Sequence, residues 1–167
     1  MRSLLEKLAV GCALLGGLIL LAIVLVTAVN AAAFGLNRIA RLFGGTVSGL
    51  SGYEDFVRLA VGAAALLFFP YCQLQRGHLA VDFLVDKMAP LARRALDGLS
   101  LLGIAALALF LAYWMALGMA ETRADGALSR VLGWPEWPFY LPGILSLLLW
   151  AAIALLQLFE TDGDVRA

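Results

Sequence analysis

The side chains with most chemical scope in this sequence fall in one short stretch, where His78, Asp82 and Asp86 follow each other at intervals of four. If the stretch is helical the three share a face, because residues four apart sit one turn above another. An imidazole and two carboxylates so stacked could hold a divalent cation; the commoner fate of such a row is to face water, with His78 and Asp82 pairing. The second reading is favoured. His78 is the only histidine, so neither a His-x-x-x-His metal pair nor a multi-histidine catalytic site can be assembled. No Gly-x-x-x-x-Gly-Lys-[Ser/Thr] phosphate loop occurs, and no Ser-His-Asp or Cys-His arrangement is suggested by spacing. Cys12 and Cys72 lie in apolar surroundings and read as buried bystanders, not as a disulfide framework. The expectation is a chain without catalytic, cofactor or metal residues of its own, and not an enzyme.

Two further spacings bear on assembly. Glu54 and Arg58 are four apart and can neutralise each other, lowering the cost of an arginine near a bilayer edge. Ala108, Ala112, Ala116 and Ala120 recur every fourth residue, and small residues so spaced let helix backbones approach closely in lipid. Packing within the chain is preferred over contact with another chain, though spacing leaves both open.

The elements that carry these residues follow from composition. Apolar residues make up 63% of the chain and charged residues 14%, against roughly 45–50% and 25% in soluble domains. One soluble core of this size cannot bury so much apolar surface, and a bilayer accepts it. Twelve basic residues balance twelve acidic ones, which gives no electrostatic case for nucleic acid.

A spanning helix needs about 20 mostly apolar residues, and four runs meet that length: Leu8 to Val29, Phe56 to Leu74, Gly98 to Ala120 and Trp137 to Phe159. The fold class expected is therefore an all-α membrane protein, residues 1–167 forming one domain of four transmembrane helices. The first run, preceded by Arg2 and Lys7 and followed by Ala31-Ala32-Ala33, loosely imitates a cleavable leader. Its length exceeds the usual 7–15 residues of a leader core and favours a retained span. Lys and Arg in the flanking segments, with Arg76, Lys87, Arg93 and Arg94 beside Arg2 and Lys7, place both termini in the cytoplasm. Trp134, Trp137 and Tyr140 then anchor the outer end of the fourth span.

The long connection from Asn30 to Asp55 contains Phe34 to Phe43, where apolar and basic residues alternate at helical spacing, and a short helix lying on the outer leaflet is expected there. Between spans two and three, Leu79, Phe83 and Leu84 fall largely away from the His78 row, giving a short amphipathic element at the membrane surface.

Ionisable groups inside a membrane mark ion or substrate routes, and three of the four runs have none. Nor are broken, glycine-rich helices of the kind that form midplane sites in carriers evident. Smooth, uncharged spans suit an accessory subunit better than a self-sufficient carrier.

Placement of the polar motifs sharpens that view. Gly52-Tyr53-Glu54-Asp55 precedes the second span, Arg76-Gly77-His78-Leu79-Ala80-Val81-Asp82 follows it, and Trp134-Pro135-Glu136-Trp137-Pro138 leads into the fourth. With four spans and this length, the pattern resembles the small membrane subunit (DctQ-like) of TRAP, or tripartite ATP-independent periplasmic, transporters; the acidic position before span two is read here at Asp55, where the family pattern has a glutamate. The resemblance implies a bacterial inner-membrane protein that partners a large transport subunit of about twelve spans, similar to elevator carriers, and a periplasmic substrate-binding protein. It further implies sodium-driven uptake of organic acids, with Na+ held by the large subunit and none by this chain. The small subunit braces the large one and helps form the docking surface for the binding protein, with Glu54, Arg58, Arg76, His78, Asp82, Ala108, Ala112 and Ala116 as structural or interface residues. The alternative is a free-standing four-helix membrane protein, a small exporter or a membrane enzyme.

Overall fold

The structure is a computed structural model that describes residues 2–75 and 90–163. Its elements are α1 (Arg2–Leu42), α2 (Tyr53–Leu66), α3 (Phe69–Leu74), α4 (Pro90–Ala124), a 3-10 turn (Trp137–Phe139) and α5 (Tyr140–Gly163). Together these make four helices long and apolar enough to cross a membrane, each containing one of the runs expected from the sequence. Among the described residues there is no strand, only an isolated antiparallel bridge between Leu128 and Pro135. The amphipathic element expected between spans two and three, with Arg76, His78, Asp82 and Asp86, lies outside the described residues.

The first helix departs from expectation. Residues 34–43 do not form a separate helix: α1 runs unbroken for 41 residues, roughly 60 Å at 1.5 Å per residue, twice the hydrocarbon thickness of about 30 Å. Asn30, which reads as a polar stop, is instead buried. The true stop is Gly44, at φ +76°, where the amide of Gly45 donates to the Ala40 carbonyl at 2.8 Å and that of Gly44 to Arg41 at 3.3 Å. This left-handed cap satisfies the last orphan carbonyls and favours glycine. Helix α4 ends in the same motif around Gly126, with Ala127 donating to Thr122 and Gly126 to Arg123.

The second span also differs, because it is broken. Pro70 stands one residue into α3; it has no amide proton and its ring crowds the carbonyl four residues back, that of Leu66. Hydropathy alone misses this, since proline sits unnoticed in an apolar run. The orphaned Leu66 carbonyl accepts the hydroxyl of Ser146 on α5 at 2.7 Å. The break is thus sealed from another helix.

Lipid tails are as apolar as leucine, so helices in a bilayer associate through close packing and hydrogen bonds. The core obeys this. Ala108 and Ala112 on α4 pack against Leu147, Trp150 and Ala151 on α5, and the Phe69 ring lies 4.8 Å from that of Trp150. The alanine stripe therefore works within the chain along its first half; Ala116 is half-buried and Ala120 exposed. Helix α1 meets α2 at Gly16, where a β-carbon would stand 3.0 Å from the Ala64 carbonyl oxygen.

Candidate functional site

Three polar contacts stitch the broken second span to the α4–α5 hairpin, at three levels of the bundle. At the end carrying the 43–52 and 125–136 connections, the centre is Asp55, which is only 5% exposed. Its Oδ2 accepts the amides of Val131 at 2.7 Å and Leu132 at 3.1 Å, and the Ser129 hydroxyl is a further partner. Two successive backbone N–H groups converging on one carboxylate make a charge-assisted nest. Asp55 also stands in the first turn of α2, where the helix dipole favours negative charge.

The 127–136 loop is shaped to present those amides. Ser129 donates its amide to the Trp134 carbonyl at 2.8 Å, Glu136 donates to Ala127 at 3.2 Å, and the Trp134 amide donates to Ser129 Oγ at 3.1 Å. Gly52, before α2, has φ +80° and faces Leu132 so closely that a β-carbon would stand 2.6 Å from its Cγ. Backbone conformation and space both call for glycine there.

Around this nest lie weaker contacts. Arg58 donates to Glu136 in an ion pair, and the Arg123 guanidinium sits 5.0 Å from the Trp137 ring centroid, in cation–π range. The pairing expected between Glu54 and Arg58 is replaced by one across 78 residues of sequence; Glu54 is exposed. Spacing along a helix could not reveal a partner supplied by tertiary folding.

Near the far end of the bundle, about eighteen residues and roughly 27 Å along the span, the centre is Gln73. Its Nε2 donates to Gln157 Oε1 at 2.7 Å, its Oε1 accepts Trp150 Nε1 at 3.1 Å, and its carbonyl accepts Gln157 Nε2 at 3.1 Å. Between the two ends lies the contact of Ser146 with Leu66. A fourth tie holds the connection after α1: Asn30 Oδ1 accepts the Leu50 amide at 3.0 Å and Asn37 Oδ1 that of Val47 at 3.1 Å.

Among the described residues no buried side-chain nitrogen or oxygen lacks a partner, so these polar groups serve to hold helices in register. Of the residues singled out in the sequence, Arg58 falls at one of these junctions, Ala108 and Ala112 in the apolar core between α4 and α5, Ala116 is half-buried and Glu54 exposed. Asp55, Gln73, Ser146, Trp150 and Gln157 were missed as site residues. Their signal was present: isolated polar groups in apolar runs must find partners inside the bundle.

Comparison with protein families gives a match over residues 34–162 to the family described as tripartite ATP-independent periplasmic transporters, DctQ component. No curated protein and no solved structure matches the chain.

Proposed function

The chain belongs to the DctQ component family of tripartite ATP-independent periplasmic transporters, and from that premise we propose that it is the fixed bracket of a sodium-driven solute uptake system. As a DctQ component it is the small, multi-pass membrane subunit of a three-part complex that also contains a large membrane subunit and a binding protein. In the proposal the chain sits in the bacterial inner membrane with both termini in the cytoplasm. It braces the large subunit, which carries the organic-acid substrate and Na+, and it contributes to the surface on which the periplasmic binding protein docks. Arg76, His78 and Asp82 are proposed as structural or interface residues; alanine at His78 and Asp82 should impair assembly or membrane positioning and leave substrate choice unchanged.

One observation carries this reading. The polar groups within the bundle are engaged with one another, most fully at Asp55 and Gln73, which suits a rigid support and leaves them little scope as an ion relay.

Reconstitution tests it. Vesicles holding both membrane subunits, supplied with binding protein and an inward sodium gradient, should accumulate a labelled carboxylate, and vesicles holding this chain alone should not. Accumulation by the single chain would overturn the proposal, as would isolation in mild detergent only as a homo-oligomer. Uptake by the full system that persists without a sodium gradient would refute the sodium coupling.

A further inference from the structure

The part of α1 beyond Asn30 is longer than a perpendicular span requires. The Leu50 amide meets Asn30, so α2 begins near that level, and twelve further residues carry α1 about 18 Å past it. The interfacial zone on one side of a bilayer is only about 5–7 Å deep. Yet the extension displays Leu36 and Ile39, and its tip carries Leu42 and Phe43 at 81% and 85% exposure, the highest among large apolar side chains in the described residues.

Three features say what covers it. First, Leu36 and Ile39 continue, at steps of three and four, the exposed stripe of Leu14, Leu18, Leu21 and Leu25 on the spanning part of the same helix. Second, the opposite side of the extension, at Asn37, is occupied by the returning 43–52 connection and its hydrogen bonds. When a helix leans away from its bundle, the face opposite the bundle turns toward the bilayer, and Leu36 and Ile39 occupy that face. Third, Arg38 and Arg41 are exposed, and neither has a carboxylate partner among the described residues. Long cationic side chains at such a helix reach for lipid phosphates.

We infer that the Ala31–Phe43 extension lies over in the leaflet, Leu36 and Ile39 among the upper acyl chains and Arg38 and Arg41 on the phosphates of anionic phospholipid. It is a lipid-binding arm of the small subunit.

The full chain tests this in a background with Cys12→Ala and Cys72→Ala. Single cysteines at Leu36, Ile39, Leu21 or Ser51 carry a small fluorophore in vesicles of phosphatidylcholine with about a third phosphatidylglycerol. Lipids brominated high on the acyl chain should quench labels at 36 and 39 within about twofold of the label at 21, and aqueous iodide should reach them several-fold less than the label at 51. Label-free, native mass spectrometry should show several-fold less retained phosphatidylglycerol for the Arg38→Gln/Arg41→Gln protein. Iodide access at 36 and 39 equal to that at 51 would overturn the assignment. So would shielding that arises only when the large subunit is added, without bromolipid quenching, or phosphatidylglycerol retention unchanged by the double substitution.

Discussion

The two ends of the second span are fastened by opposite chemistries. At one end a full charge, Asp55, is held by backbone amides of a folded loop, with the Arg58–Glu136 ion pair beside it. At the other, Gln73, Gln157 and Trp150 form a neutral cluster. The difference follows from what each element can supply. A loop has free N–H groups to turn on a carboxylate; a helix has spent its own and can offer only side chains. Within this span the buried charge stands at the end where a loop can neutralise it, and amide side chains serve where helix meets helix.

That contrast can be broken by substitution, and the largest effect belongs to Asp55. Asp55→Leu leaves two part-buried amides without their acceptor and should cost about 2–4 kcal/mol, read as a lowered unfolding midpoint in detergent; Asp55→Asn, which keeps an acceptor, should lose less. A loss no larger than that at Gln73 would erase the distinction between the two ends. Gln73→Leu comes next, at about 1–2 kcal/mol. Gln157→Leu should cost less in that background than it does alone, because the two side chains share hydrogen bonds, and strictly additive losses would contradict the shared cluster.

Ser146→Ala should cost about 0.6–1.7 kcal/mol, and almost nothing in a Pro70→Ala background, where the Leu66 carbonyl regains a donor within its own helix. An equal loss in both backgrounds would mean that the hydroxyl does not serve that carbonyl. Smallest is Glu136→Gln: the Arg58 side chain is 55% exposed, so its pair is worth about 0–1 kcal/mol, and raising salt should shrink even that.

How far this could be read in advance depended on range. The four spans were legible because each is a local property, a long apolar run. The ends of α1 and the break at Pro70 were not, since hydropathy scores Asn30 as an interruption and passes over a proline. The alanine stripe marked a close-packing face, because small-residue spacing is again local, but that its partner is α5, at Ala108 and Ala112, came only from the fold. Asp55 was noted only as a motif position and its role was missed for the opposite reason: its partners, Val131 and Leu132, are backbone amides that any residue could supply, and nothing in their side chains announces them. Arg58 was assigned to the neighbour one turn away when its partner waits across the bundle.

The missing donor at Pro70 has a consequence for biosynthesis. Translation delivers the second span with the Leu66 carbonyl unsealed, and the residue that seals it, Ser146, emerges eighty positions later. A bare carbonyl facing acyl chains carries a cost, so this span gains its last internal contact only when the final helix arrives, and a truncation before α5 should leave the break at Pro70 less firmly held.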